Sequence, residues 1–218
     1  MRPVGAQLKV NLLLKRLPRL ASGLDPAVAF AGTTHLEEGF QQLEDAYTQS
    51  AAGVLPRTLP GEVYCHSLTD PSILGGEPGA SLTLFGLHTP TALFDGHPAM
   101  RFEATASALA ALQLHLDESL EGCVARDADG EPCIDVADPL DLETSLGMPG
   151  GNIFHGDLSW PWRTDGESAN SAAERYGVTV PGSRQILLAG AGSRRGGGVS
   201  GLGGLAAVDA LLATPQQR

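Results

Sequence analysis

Positive charge is scarce in this sequence. Fourteen Lys and Arg stand against 25 Asp and Glu in 218 residues, for a formal net charge of −11. No basic stripe is left to meet a phosphate backbone, so nucleic acid is not an expected partner. Cysteine is equally sparse. Cys65, Cys123 and Cys133 cannot all pair within one chain, and none sits in a C-x-x-C arrangement. That argues against a disulfide scaffold or a zinc site and fits a reducing, cytoplasmic compartment. Long apolar runs are missing too. The first candidate, Val10 to Leu14, is broken by Asn11 and bracketed by Lys9 and Lys15, far short of the ~18 apolar residues of a membrane span. No transmembrane segment is expected. Charged residues reach only 18%, but hydrophobic ones reach 42%, which is the composition of a folded chain rather than a disordered one.

What is abundant is glycine, 28 residues, joined by 15 prolines; many turns follow. Leu8, Val10, Leu12 and Leu14 alternate with Lys9, Asn11 and Leu13 at the period of a half-buried strand. Arg2, Lys9, Lys15, Arg16 and Arg19 precede the first acid, Asp25, as in transit peptides, but the alternation favours the strand. Thr34 and Glu37 stand in capping-box relation before Leu36, Phe40, Leu43 and Tyr47, predicting a helix over 36–49. Strands are predicted over 62–68 and 81–88 as an antiparallel pair flanking a turn region. Phe102, Ala106, Leu109, Leu112, Leu116 and Leu120 mark the face of a long helix over 99–120. Residues 127–132 read as a surface turn, and Asp138-Pro139 as the cap and first residue of a short helix to Leu146. A strand over 185–189, a glycine-dense loop over 190–204 and a helix over 205–213 close the chain. The fold class expected is α+β: a mixed or antiparallel sheet with packed helices, plus a C-terminal strand, glycine loop and helix.

Two loops carry the chemistry. Gly190-Ala191-Gly192-Ser193-Arg194-Arg195-Gly196-Gly197-Gly198-Val199 runs from the last strand toward a helix. Its glycines let backbone approach a ligand, and a helix start favours an anion. Counted from Gly190, the spacing has one residue too many for the dinucleotide fingerprint. A loop that merely lets the last helix pack remains the plain reading beside a phosphate or flavin site. The second loop, Gly150-Gly151-Asn152-Ile153-Phe154-His155-Gly156-Asp157, gathers an amide, an imidazole and a carboxylate. A lone His155 is either a hydrogen-bonded structural residue or a catalytic base. The histidines are scattered in sequence, so no metal site is expected, and no G-x-S-x-G elbow supports nucleophilic hydrolysis.

Together, GGNIFHGDLS and LAGAGSRRGGGVSG resemble the C-terminal part of phytoene-desaturase-like FAD-dependent oxidoreductases. The resemblance extends to AQLKVNLLLKRLP, FAGTTHL and PLDLETSLGMPGG, and so covers most of the chain. It implies a substrate-domain-like α+β region over 1–146. Residues 147–218 would be the His loop and the segment that returns to complete an FAD-binding Rossmann-like domain. By this resemblance Gly190, Ala191, Gly192, Gly197, Gly198 and Val199 border FAD, while Asn152 and His155 face the flavin and the substrate cavity. Ser193-Arg194-Arg195 stands where the family usually has Thr/Ala-His-Pro, and Trp160-Pro161-Trp162 replaces a Leu- and Phe-rich run. The family's N-terminal G-x-G-x-x-G unit has no counterpart here, so FAD retention by this chain alone is in question.

Three functions stay open at this level. The first is part of an FAD-dependent oxidoreductase that moves hydride from a small apolar or amphipathic organic substrate to FAD. The second is a non-catalytic interaction module that docks on an FAD-binding partner chain or on a second copy of itself. The third is a phosphate-ligand protein that uses only the C-terminal loop.

Overall fold

The computed structural model describes residues 3–156, 168–194 and 200–213. Two compact units divide the chain: Gly5–Gly151, and Met1–Val4 with Asn152–Arg218.

The first unit is built on an antiparallel sheet of β1 (Gln7–Leu14), β2 (Thr34–Leu36), β3 (Gly61–Tyr64), β4 (Ala80–Leu87) and β5 (Ile134–Ala137), in the order β2-β3-β4-β1-β5. Its longer helices are α1 (Phe40–Ala51), α2 (Pro98–Gln113) and α3 (Pro139–Leu146), beside several single-turn helices. The second unit carries α4 (Ala172–Tyr176) and α5 (Leu202–Ala213). The α+β class expected from the sequence is the one observed.

The alternation in β1 does what its period dictates. Leu8, Val10, Leu12 and Leu14 are buried on one face and meet Leu82 and Leu84 of β4 and Val63 of β3 in the same core. Asn11, on the opposite face, closes a polar row across three strands. Its side-chain oxygen accepts from Thr83 Oγ1 at 3.0 Å, and its amide donates to Asp135 Oδ2 at 3.1 Å. Thr83 and Asp135 are its register partners on either side, which accounts for a polar residue inside an apolar run.

Four sequence expectations are corrected, the first being the strand predicted over 62–68, which ends at Tyr64 and gives way to a helical turn, His66–Thr69. The helix predicted over 36–49 begins at Phe40, because Thr34 and Leu36 pair with β3 as the edge strand β2. The cap is instead made by Gly39 and Gln42, whose Oε1 accepts from the Gly39 amide at 2.9 Å. The helix predicted over 99–120 stops at Gln113. Gln113 then ties the following loop, donating to Glu118 O and accepting from the Leu120 amide, both at 2.8 Å. The buried face of α2 is Ala104, Ala108, Ala111 and Leu112, while Phe102 is 78% exposed; small alanines let the helix seat closely on the sheet. Among the described residues, the strand predicted over 185–189 is reduced to the single bridge Thr179–Leu187, with one short neighbour to pair with it. The region read as a surface turn is followed directly by β5. By contrast, Asp138 caps α3 as predicted. Its Oδ1 accepts from Leu140 and Asp141 amides at 2.8 and 3.0 Å, and Asp141 returns a bond to the Asp138 amide at 3.0 Å.

The N-terminal cations that follow β1 are structural partners. Arg16 grips Glu118 with two bonds of 2.6 and 2.7 Å, and the Arg19 amide donates to Glu118 Oε1 at 2.7 Å. The Arg16 hydrogen bond, then the Arg19 amide, hold the Glu118 carboxyl down to about 2. A carboxylate with a depressed folded-state pKa contributes stability above its ordinary range and loses that contribution as pH falls through about 2. Glu118→Gln is therefore expected to lower the melting temperature at neutral pH, with the deficit closing as acid approaches pH 2. Melts of both proteins across this range check it; a deficit that persists unchanged at pH 2 contradicts it.

Candidate functional site

In the second unit the chain folds its glycine turn against the start of α5. A Cβ placed on Gly203 would lie 2.7 Å from Gly190 O and 2.8 Å from Ser193 Oγ, so only glycine lets the helix come this close. The turn is closed by Ser193 N donating to Gly190 O at 3.0 Å. The Arg194 amide then reaches Gly177 O, at 2.8 Å, at the left-handed end of α4. Val178, Ala206, Ala207 and Ala210 form the small core behind, with Tyr176 and Leu187 packed on it.

Gly190 and Gly192 are exposed, and the space in front of Gly190 is open. Ser193 Oγ, by contrast, is buried and has no hydrogen-bond partner. The accessible backbone edge at Gly190 and Gly192 is a fit for the polar edge of a cofactor such as FAD, while the buried Ser193 hydroxyl lies against Gly203, out of a ligand's reach. A cavity of about 450 Å³ opens next to the turn, lined among others by Glu174, Thr179, Leu188, Gly192 and Arg194.

The two loops singled out in the sequence meet here. The Cβ of His155 lies 3.8 Å from where a Cβ on Gly192 would stand. His155 is exposed and holds φ +60, a left-handed backbone uncommon outside glycine. Asn152 sets up that turn. Its amide donates to Val4 O at 3.0 Å, and its side-chain oxygen accepts from the Phe154 amide at 2.8 Å. Asn152 is thus buried with its polar atoms turned to backbone. Of the other expected site residues, Ala191 is half-buried in the turn. Gly197, Gly198 and Val199 lie outside the described residues.

Sequence reasoning missed Gly203 and the buried state of Ser193. The Leu202-Gly203-Gly204 run at a helix start was the available signal for the first; nothing in the sequence marks the second. It also overlooked that Gly196, Gly198 and Gly201 hold G-x-G-x-x-G spacing directly before α5. The fingerprint needs a strand leading into it, and the described residues upstream supply only the Thr179–Leu187 bridge.

Comparison with known proteins places this arrangement among longer chains. Uncharacterized proteins of Mycobacterium tuberculosis and Mycobacterium bovis are 48% identical over 214 residues, which is 96% of this chain and 40% of theirs. The chain therefore spans about two fifths of the length of these curated relatives. Pyridine nucleotide-disulfide oxidoreductase domain-containing protein 2 of Rattus norvegicus is 30% identical over 204 residues, covering 90% of this chain and 33% of that protein. The chain is thus distantly related to a protein named for an oxidoreductase domain. No family model and no solved structure matches it. Among the described residues, no helix is long and apolar enough to cross a membrane.

Proposed function

We propose that this chain forms the substrate-domain-like and flavin-bordering part of an FAD-dependent oxidoreductase of the phytoene-desaturase-like kind. The observation that carries the reading is the meeting of His155 with Gly192 on one glycine turn, 37 residues apart in sequence and both chosen from sequence. The relation to a pyridine nucleotide-disulfide oxidoreductase domain-containing protein supports the same class.

FAD, when bound, would supply the hydride acceptor for an apolar or amphipathic organic substrate. The exposed backbone at Gly190 and Gly192 would hold the cofactor's polar edge, on a turn seated against α5 at Gly203. Asn152 fixes the loop that presents His155, and the His155 imidazole receives or holds a proton at the substrate side of the turn. Gly197, Gly198 and Val199 extend the same border by resemblance.

A second reading has its own observation. Leu202, Leu205, Val208, Leu211 and Leu212 of α5 are 47 to 77% exposed, an apolar face of the sort that marks an interface. A non-catalytic module docking on an FAD-binding chain would use that face. One experiment separates the two. The chain is mixed with FAD and with the unmatched portion of the M. tuberculosis relative, then freed of excess flavin. The proposal expects flavin bands near ~450 nm to be retained more strongly than by that portion alone. Association of the two chains with unchanged flavin retention favours the module. No association and no retained flavin overturns the proposal.

A further inference from the structure

The sheet edge gathers a second cluster, remote in sequence from the flavin loops. His35 of β2 stands directly opposite Glu62 of β3 in the antiparallel register, where side chains of facing residues meet. Glu37 then takes φ +54 and turns the chain so that Glu38 comes back beside His35, with Nδ1 and Oε2 2.6 Å apart. One donor atom from each of His35, Glu38 and Glu62 lies within 4.8 Å of the others.

The hydrogen bonding around this cluster is incomplete in one place. Glu38 Oε1 is buried and has no partner, although a buried carboxylate oxygen without a donor is costly. The neighbouring groups are committed elsewhere. Tyr64 donates to Glu62 Oε2 at 2.5 Å. Glu37 accepts from Gln42 at 2.6 Å and pairs with His115 Nε2 at 3.0 Å. The unpaired oxygen belongs to a carboxylate that, with His35 and Glu62, makes a set of one imidazole and two carboxylates.

We propose that His35, Glu38 and Glu62 form a three-ligand site for a zinc-class divalent cation, which clips the edge strand β2 and the turn after it onto β3. Nitrogen and oxygen donors suit zinc at about 2.0–2.2 Å, with a fourth position left for water. The ion would take the place of the proton shared by His35 Nδ1 and Glu38 Oε2, with the three donors, all within 4.8 Å of one another, rearranging around it. The Tyr64–Glu62 hydrogen bond orients a ligating carboxylate from behind, as outer-shell partners do. His35 is exposed, which gives the ion a route from solvent. The benefit falls on the weakest part of the sheet: β2 has three residues and one neighbour, and a cation bound only by the folded state raises its stability. The sequence shows His35 and Glu38 alone; Glu62 is delivered by strand pairing.

The test is calorimetric titration of the metal-free chain with Zn²⁺ alone, with melting curves in Zn²⁺ and in EDTA. One equivalent is expected to bind and to raise the melting temperature. His35→Ala and Glu62→Gln are each expected to weaken binding at least ~10-fold, while Cys133→Ser leaves it unchanged. Glu62→Gln keeps the size of the side chain, so it serves if His35→Ala does not fold. Absence of one-to-one binding overturns the proposal, as does binding that survives both substitutions.

Discussion

Gly203→Val releases the Gly190–Arg194 turn from α5. The added atoms collide with Gly190 O at 2.7 Å and Ser193 Oγ at 2.8 Å. Gly190 O cannot retreat freely, since it also accepts from the Ser193 amide. Forced overpacking of this sort costs about 1–3 kcal/mol. The core behind it is mostly alanine, with Val178, Ala206, Ala207 and Ala210 as its fully buried members, so little apolar burial is available to offset the loss. Amide exchange over 190–194 is expected to become fast, and any flavin retention to disappear with it. Leu212→Ala, at a position 77% exposed on the same helix, serves as the neutral control. Unchanged exchange in the valine variant would show that the close approach is not what shapes the turn.

The second large effect belongs to the sheet. Leu84→Ala empties a position that is 1% exposed, faces Val10 and Val63 across two strands, and sits on β4 inside the five-stranded order. Truncations of buried leucine cost about 2–5 kcal/mol. The urea midpoint is expected to fall with the slope unchanged, the signature of lost stability without a change in unfolding mode. Leu13→Ala, on the exposed side of β1 at 40% exposure, is expected to shift the midpoint far less. Similar shifts for the two variants would contradict the assignment of the core to one face of the sheet.

The parts of the fold legible in the sequence are those where one local rule acts alone. Strand β1 declares itself by alternation, and α3 by an aspartate cap followed by proline. The parts that were not legible are set by distant partners. Thr34 looks like a helix cap until β3 arrives to pair with it, and the φ +54 of Glu37 that separates β2 from α1 has no sequence signature. Strand β5 is four residues, none of them fully buried, whose only strand neighbour among the described residues is β1, so its propensity signal is weak. In α2, Phe102 promised a buried face by size, but the helix seats on its alanines.

The candidate site divides in the same way. Glycine density and the His155 loop are visible as composition, and their meeting at Gly192 follows from the fold. The unpaired hydroxyl of Ser193 depends on burial, which no local pattern encodes. The cluster of His35, Glu38 and Glu62 needs strand register to exist at all, and sequence spacing alone argued against any metal site.

The central claim is that the turn at Gly190–Arg194 borders a flavin. Its most direct test is hydrogen–deuterium exchange of this chain, mixed with the unmatched portion of the M. tuberculosis relative, with and without FAD. Slower exchange of amides 190–194 on flavin binding, by about tenfold or more, is the predicted result. Bound flavin with exchange at 190–194 unchanged would contradict it.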